Sequence, residues 1–208
     1  MVEYIIVLLA GYILGSLPTA VWVGKYKYAI DVREHGSFNA GATNTFRVLG
    51  KKAGTLVLLV DVFKGAFAVL LPFFMFNYYW GSDNLVQLKI VAGIAAVIGH
   101  IFPVFAKFNG GKGVATSLGV VIGLHPSAAL ICLGIFLLVF IISNYVSLGA
   151  ILAAVSFPLI VQFIFLNHNL YLRYFSLVLS IAVIAAHRKN IVRLIQGNEN
   201  KMNLFQKK

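Results

Sequence analysis

The sequence predicts an all-α protein that crosses a membrane several times, and three observations carry that prediction. Of the 208 residues, 60% are hydrophobic and only 11% are charged, whereas a soluble domain carries about a quarter charged residues. The mean hydropathy is +0.90. The apolar residues also lie in runs of about 20, the length that an α-helix needs to cross a bilayer.

Six apolar runs have the length of a spanning helix, and one more is shorter. The six lie at about 2–24, 53–78, 86–106, 127–143, 146–166 and 172–187. The short run, 113–124, would rise only about 18 Å, which is less than the ~30 Å hydrocarbon core. It is either a thin or re-entrant helix ending near His125 and Pro126, or part of one kinked span with 127–143. The first arrangement gives seven crossings and the second gives six.

The positions of the basic residues favour seven crossings. Seven crossings place almost all of them on one side: Lys25, Lys27, Arg33, Arg47, Lys51, Lys52, Lys107, Lys112, Arg188, Lys189, Arg193, Lys201, Lys207 and Lys208. The opposite side then keeps Lys89 and Arg173, while Lys64 lies within the second run. Six crossings would put the basic tail outside, against the positive-inside preference. We therefore predict seven transmembrane helices, the short one included, with the N-terminus outside and the C-terminus in the cytoplasm.

Composition also excludes several classes of protein. The net charge of +11 indicates a basic face toward anionic lipid and substrates, not nucleic acid, because the cations lie between apolar runs. Cys132 is the only cysteine, which excludes a disulfide framework and a cysteine-based metal site. The apolar N-terminus lacks a preceding basic region, so we interpret it as the first span and not as a signal peptide. We expect one transmembrane domain, 1–208.

The first polar cluster is the stretch HGSFNAGATNTFRVLG, from His35 to Gly50. It is long for a connection between spans and is dense in Gly, Ser, Asn and Thr. Such a loop can turn backbone N–H groups and hydroxyls inward to form a concave anion site. Arg47 adds a planar fork that suits a phosphate. The alternative interpretation is an ordinary solvated loop.

The second polar cluster is KFNGGKGVATS, from Lys107 to Ser117. Its three glycines allow close backbone approach, and a helix starting at Val114 would present N-terminal amides that attract anions. Lys112 adds a point charge. Because Gly113 stands where the Walker motif has Ser or Thr, that motif's nucleotide binding is not predicted. The alternative is a flexible glycine turn between two spans.

The third polar cluster is HRKNIVRLIQGNEN, from His187 to Asn200, at the end of the last run. His187, Asn190, Ile191 and Leu194 have the spacing of one helical face, which can direct an imidazole and an amide toward a helix bundle. The alternative is a basic juxtamembrane helix on anionic lipid.

All three clusters emerge on one side under the predicted topology. A unit charge about 4 Å from another, at an effective dielectric near 20, interacts by ~4 kcal/mol. Arg47 and Lys112 in one interfacial cleft could therefore hold compounds with a doubly charged phosphate. Polar groups at the membrane surface beside apolar walls suit a substrate that has a phosphate head and an acyl tail.

The clusters resemble the three signature motifs of the PlsY family, the bacterial acyl-phosphate:glycerol-3-phosphate acyltransferases. The matching segments are GSFNAGATN at 36–44 followed by Arg47, GHIFPVFAKFNGGKGVATS at 99–117, and HRKNIVRLIQGNE at 187–199. The likeness extends to GSLPTA at 15–20 and DVFKG at 61–65 in matching order, so it spans nearly the whole chain. One departure is Phe38, where the family often has Gly.

The resemblance implies an activity and its partners. A fatty acyl group would pass from acyl phosphate to the 1-hydroxyl of glycerol 3-phosphate, giving lysophosphatidic acid and inorganic phosphate, the first step of phospholipid biosynthesis. The soluble synthase PlsX would supply the acyl phosphate. The protein would lie in the bacterial cytoplasmic (inner) membrane with its active site facing the cytoplasm, and we expect no cofactor, metal or nucleic acid.

The resemblance also implies residue roles. Ser37 and Arg47, together with the catalytic set of Lys112, His187 and Asn190, would contact glycerol 3-phosphate. Those expected to hold the phosphate of the donor are Thr43, Gly111 and Gly113. The substrate-binding set further includes Asn44 and Ser147, the second a candidate phosphate contact from its position at the turn after the run 127–143. Glu199 would brace the tail by pairing with a basic neighbour.

The residues support this chemistry without the resemblance. None of the five histidines has an Asp five positions later, so the HxxxxD pair of other glycerolipid acyltransferases is missing, and no GxSxG elbow occurs. An acyl phosphate has a good leaving group and needs alignment, charge stabilisation and a proton acceptor. We expect direct attack by the glycerol hydroxyl, with the proton passing to His187 or to a substrate phosphate.

Two further interpretations concern residues outside the three clusters. Asp61 and Lys64 are three apart and can pair on one helix face, as a structural pair in preference to a catalytic one. His100 either lines the cleft or is a satisfied interfacial histidine. The main rival function is a transporter for a phosphorylated metabolite, because transporters also use glycines, cations and broken helices. A structural lipid-binding protein is a second rival.

Overall fold

The computed structural model describes residues 1–202, and within that range the chain is helical without a β-strand. Lys207 and Lys208, which the sequence places in the basic tail, lie outside the described residues. The α-helices are α1 (Val2–Gly15), α2 (Thr19–Tyr28), α3 (Ala42–Leu49), α4 (Lys51–Met75), α5 (Asp83–Ile101), α6 (Val114–Leu124), α7 (Pro126–Ser143), α8 (Val146–Leu159), α9 (Leu170–Ala186) and α10 (Arg188–Ile195). The chain forms two compact units that divide after Pro126.

Five helical segments are long and apolar enough to cross a membrane. They are Val2–Tyr28, Lys51–Met75, Asp83–Ala106, Pro126–Ser143 and Val146–Ile164. The pair α9 and α10 passes the same criterion together, bent by 61° at its break, and would make a sixth. The predicted fold class, a helical protein that crosses the membrane several times, is therefore confirmed. Seven crossings and the orientation of the termini stay predictions.

The first predicted run, 2–24, is one candidate span but two helices. α1 ends at Gly15 and α2 begins at Thr19, after Pro18. Proline has no N–H and its ring clashes with the carbonyl four residues earlier, so a helix does not pass through it undisturbed. The amino group of Lys64 on α4 donates to the carbonyl oxygen of Leu17 at this break, at 2.9 Å.

Small residues let the helices of the first unit pack closely. A methyl group added to Gly11 or Gly15 of α1 would overlap the backbone of Ala92 or Ala96 on α5. A methyl group on Gly119 of α6 would likewise overlap the carbonyl oxygen of Val62 on α4. Helices in a membrane associate through this close backbone packing, because lipid tails are as apolar as the side chains.

The short run forms a helix of its own. α6 ends at Leu124 and α7 begins at Pro126, with His125 between them outside both helices. Eleven residues rise only about 16 Å. Because α6 is held against α4 by glycine contacts, its N-terminal end is fixed beside the middle of that helix.

The second unit is built on α7, α8 and α9. Asn144 adopts a left-handed conformation with φ +60° in the short turn between α7 and α8, and its carbonyl oxygen accepts the N–H of Met202 at 2.9 Å. The rings of Phe157 and Phe175 meet edge to face at 6.3 Å, which joins α8 to α9. The tail that follows α10 therefore returns to the turn at the start of α8.

Candidate active site

The first polar loop is organised around the side chain of Asn44 at the start of α3. Its oxygen accepts the backbone N–H of Ser37 at 2.7 Å, and its amide donates to the carbonyl oxygens of Val32 at 2.6 Å and His35 at 3.0 Å. Asn44 is 1% exposed. Three hydrogen bonds from one buried amide fix the path of residues 32–37, so Asn44 braces the loop. Its contact with substrate stays a prediction.

Three residues are expected to bind phosphate here: Ser37 lies in the loop before α3, Thr43 at the start of that helix and Arg47 in its last turn. Thr43 and Arg47 are four apart on that helix and therefore share a face. Both are partly buried, as is Ser37. The loop thus combines hydroxyls and a guanidinium on a braced segment, and both kinds of group suit an anion.

An ion pair outside the predicted site links the first loop to the second. The guanidinium of Arg33 donates to both carboxylate oxygens of Asp31, at 3.0 and 2.7 Å, and its remaining arm donates to the carbonyl oxygen of Ala106 at 2.9 Å. Lys25 is 3.2 Å from the same carboxylate. The hydrogen bond from Arg33, against the opposing effect of burial, holds the pKa of Asp31 well below its usual range.

The second polar loop folds back on the last turn of α5. The N–H groups of Gly110 and Gly111 donate to the carbonyl oxygens of Ile101 and His100, each at 3.1 Å. Gly113 precedes α6 in a left-handed conformation with φ +79°, which glycine adopts without strain. The segment Gly110–Gly113, called here the glycine loop, therefore leads directly into the N-terminal end of α6.

The two loops meet at a small cavity. Its volume is about 10 Å³, and its lining includes Ala40 of the first loop with Gly110 and Gly111 of the glycine loop. Gly111 and Gly113 are buried and Lys112 is partly buried. Within the first unit the structure therefore brings together the first and second motifs that the sequence singled out.

The third motif is assembled in the second unit around Glu199. One carboxylate oxygen accepts Asn190 Nδ2 at 2.7 Å and Ser147 Oγ at 3.0 Å, and the other accepts Arg193 Nε at 2.9 Å. Burial acts to raise the pKa of Glu199, but these hydrogen bonds from Asn190, Arg193 and Ser147 hold it below its ordinary value. The prediction that Glu199 pairs with a basic neighbour is confirmed, and the structure places Ser147 and Asn190 on the same carboxylate.

His187 lies at the bend between α9 and α10 and is buried. Its Nδ1 is 2.8 Å from the carbonyl oxygen of Val183. A carbonyl oxygen only accepts, so Nδ1 carries the hydrogen and Nε2 is the unprotonated nitrogen of the neutral ring. This tautomer is the one that a proton acceptor at Nε2 requires.

Comparison with known proteins gives the family. The model of the glycerol-3-phosphate acyltransferase family matches residues 5–197. The chain belongs to that family.

Two relatives show how far the likeness extends. The glycerol-3-phosphate acyltransferase of Chlorobaculum tepidum is 41% identical, with 100% of both chains covered. That of Chlorobium luteolum is 42% identical over 97% of each. The crystal structure of PlsY, an integral membrane glycerol 3-phosphate acyltransferase, in its glycerol 3-phosphate form superposes with a TM-score of 0.87 at 36% identity, covering 98% of this chain and 99% of that one. Its lysophosphatidic acid form gives 0.84 at 35% identity.

The predicted family and the predicted class of enzyme are both confirmed. The chain is a multi-pass integral membrane acyltransferase. The position where the family often has glycine has a positive φ in this chain: Phe38 adopts a left-handed conformation with φ +58°. Glycine occupies this region freely, whereas other residues are strained there. Phe38 therefore adopts this conformation at a cost in strain.

The Arg33–Asp31 pair was not predicted from the sequence. For His100 two interpretations were open, and the structure places it in the lining of the small cavity, with Nδ1 lacking a hydrogen-bond partner among the described residues. Arg33 and Asp31 lie two residues apart, and this spacing could have indicated their ion pair. The hydrogen bond from Arg33 to Ala106 spans 73 residues and has no such local signal. The confirmed pair of Asp61 and Lys64 is separated by 2.9 Å. Among residues 1–202, no group of three or more His, Cys, Asp or Glu side chains is arranged to hold a metal ion.

Proposed function

We propose that this family member transfers a fatty acyl group from acyl phosphate to the 1-hydroxyl of glycerol 3-phosphate, releasing lysophosphatidic acid and inorganic phosphate. The observation that carries the proposal is the full-length likeness to PlsY in both its glycerol 3-phosphate and lysophosphatidic acid forms. The glycine loop and the braced first loop add groups suited to phosphate in the first unit. The acyl phosphate would come from the soluble synthase PlsX.

The reaction follows from direct attack on the donor. The 1-hydroxyl oxygen of glycerol 3-phosphate forms a bond to the acyl carbonyl carbon, and the bond from that carbon to the phosphate oxygen breaks. The phosphate leaves with the electron pair. The hydroxyl proton passes to His187 Nε2 or to an oxygen of a substrate phosphate, and the tautomer at His187 is compatible with the first route. No acyl-enzyme forms.

Each proposed binding group has a defined part in this scheme. Arg47, Lys112 and Ser37 bind the phosphate of glycerol 3-phosphate, and Asn190 orients its glycerol part beside His187. Gly111 and Gly113, whose backbone a ligand can approach closely, hold the donor phosphate together with the Thr43 hydroxyl and stabilise the charge that develops on it as it leaves. Ser147 is a further proposed phosphate contact, for which its hydroxyl turns away from the Glu199 carboxylate oxygen that now accepts its hydrogen at 3.0 Å.

Isotope exchange tests the absence of an acyl-enzyme. Purified protein receives acyl phosphate and labelled inorganic phosphate without glycerol 3-phosphate. Direct transfer predicts that no label enters acyl phosphate, because no intermediate returns the acyl group to phosphate. Exchange at a rate near turnover would contradict the direct mechanism and indicate a covalent intermediate.

Two substitutions test the residue roles. Arg47→Ala is expected to raise the apparent KM for glycerol 3-phosphate at least about tenfold, the effect of roughly 1.4 kcal/mol of binding. His187→Ala is expected to lower turnover at saturating substrate. An unchanged KM contradicts the first assignment, and near-normal turnover excludes His187 as an essential base.

The topology is proposed to have seven crossings. This count adds the short helix α6 and the bent pair α9 and α10 to the five long spans. The N-terminus would lie outside, and the C-terminus and active site would face the cytoplasm of a bacterial inner membrane. Tag accessibility in intact cells tests this: termini found on the same side of the membrane would overturn it. Uptake of glycerol 3-phosphate into sealed vesicles without product formation would favour the transporter instead.

A further inference from the structure

A cluster of three ionisable side chains is buried inside the first unit, and the mechanism above uses none of the three. Asp61 and Lys64 of α4 are 1% and 3% exposed, and His100 at the end of α5 is 6% exposed. Asp61 and Lys64 lie within a candidate spanning helix. Ionisable residues inside spans are costly, rare and usually functional, so the surroundings of this cluster carry information.

The cluster holds the break between α1 and α2. The amino group of Lys64 lies 2.9 Å from the Asp61 carboxylate and also donates to the carbonyl oxygen of Leu17. The hydroxyl of Thr19 donates to the same carboxylate oxygen at 3.3 Å. The two charges are therefore neutralised by each other and tied to the segment around Pro18.

His100 connects this cluster to the glycine loop. Its Nδ1 lies 3.7 Å from the Asp61 carboxylate and has no hydrogen-bond partner among the described residues. Its carbonyl oxygen accepts the N–H of Gly111. On the other edge of the ring, a methyl group added to Gly111 would overlap Nε2. The imidazole thus lies between the buried carboxylate and the backbone of Gly111.

The small cavity joins the same elements. Its lining includes Asp61, Lys64 and His100 together with Gly110 and Gly111. About 10 Å³ is close to the space for one water molecule, so the cavity is too small for either substrate. The cluster therefore acts on the loop by contact and not as a substrate pocket.

We propose that Asp61, Lys64 and His100 are positioning residues for the glycine loop. The ion pair fixes the orientation of the His100 ring through Asp61, which lies near Nδ1. The Nε2 edge of the ring packs against Gly111. The loop that leads into Lys112 and α6 is thereby held in one conformation for binding phosphate. This inference rests on the proposed function only in assigning a phosphate to the loop.

The test separates positioning from a general structural role. A buried ion pair that only supports the fold can be replaced by apolar residues of similar size with little loss. The variants are therefore Asp61→Leu with Lys64→Met as a double substitution, and His100→Ala, His100→Asn and His100→Gln as single ones. Lys89→Met is the matched control, because Lys89 is also buried on α5 but lies beside Trp80, at 3.6 Å from its ring.

Each purified variant is first checked for a single symmetrical gel-filtration peak and for its melting temperature. Its KM values and its inhibition constant for inorganic phosphate are then measured. We expect the double variant and His100→Ala to raise the KM for the acyl donor and the inhibition constant of phosphate at least about tenfold. His100→Gln, whose amide reaches the position of Nε2, should retain more of the wild-type affinity than His100→Asn. Lys89→Met should leave these constants unchanged.

Two results overturn the proposal. One is a folded His100→Ala with wild-type KM values and wild-type inhibition by phosphate. The other is loss of folded protein in every His100 variant while Lys89→Met folds, which makes the role structural. An error in the proposed acyl donor would be seen separately, because wild-type protein would then form no product from acyl phosphate. Inhibition by inorganic phosphate, measured with whichever acyl donor the wild type does use, would still test the role of the cluster.

Discussion

The side-chain oxygen of Asn44 accepts the backbone N–H of Ser37 at 2.7 Å, while the amide of the same side chain donates to two carbonyl oxygens. Asparagine alone among similar-sized side chains provides both an acceptor and two donors in this arrangement. The hydrogen bonds of the first loop therefore require an asparagine at position 44.

Replacing Asn44 by Asp should damage the loop more than replacing it by Ala. A carboxylate would keep the bond to Ser37 but would face the carbonyl oxygens of Val32 and His35 without a hydrogen to donate. A buried carboxylate that has one donor and faces two carbonyl oxygens costs more than a missing side chain. We expect Asn44→Asp to lower the free energy of unfolding by roughly 2–4 kcal/mol, measured by thermal unfolding in detergent. Equal stability of Asn44→Asp and wild type would refute the bracing role.

Replacing Phe38 by Gly should stabilise the first loop. Phe38 has φ +58° and is 70% exposed, so the substitution relieves strain and removes little buried surface. The expected gain in the free energy of unfolding is about 1 kcal/mol. Phe38→Ala is the control, because it removes the ring and keeps the strain. If both variants, or neither, gained free energy of unfolding, the backbone conformation of Phe38 would not be the cause.

Adding a methyl group at Gly119 should separate α6 from α4. The new carbon would overlap the carbonyl oxygen of Val62, and overpacking of this kind costs about 1–3 kcal/mol. The melting temperature of Gly119→Ala should fall, and activity should fall with it because α6 carries the glycine loop at its start. Gly134→Ala is the matched control, since nothing lies within 4 Å of the added carbon there. A control as destabilised as Gly119→Ala would show that close packing is not the cause.

The Glu199 network should make stability depend on pH. The folded-state pKa of Glu199 lies below its unfolded value of 4.5, so the carboxylate contributes stability that is present above pH 4.5 and lost as the pH falls through the lower folded value. Glu199→Gln keeps an acceptor for Ser147 and Asn190 but loses the charge. Its melting temperature should be lower at pH 7 and should fall less between pH 6 and pH 3 than that of the wild type. Parallel curves would show that Glu199 does not titrate differently on folding.

The long helices and the polar motifs could be predicted because each depends on local sequence. The apolar runs match the length that a bilayer imposes, and α4 and α7 begin within two residues of the predicted positions. The pairing of Asp61 with Lys64 follows from helix geometry alone. The family follows from motifs that are continuous in the chain.

Contacts between distant segments could not be predicted in the same way. The hydrogen bond from Arg33 to Ala106 and the position of His100 beneath Gly111 depend on how α5 and the two loops pack. No periodicity in the sequence encodes them. The break of the first run at Pro18 had a local signal in the proline, but hydropathy treats the run as continuous.

The most direct measurement of the central claim is product stoichiometry with a change of donor. Purified protein is supplied with acyl phosphate and glycerol 3-phosphate, and lysophosphatidic acid and inorganic phosphate are quantified in the same sample. The account predicts equal amounts of the two products, and no lysophosphatidic acid when acyl-CoA replaces acyl phosphate. Formation of lysophosphatidic acid from acyl-CoA but not from acyl phosphate would contradict it.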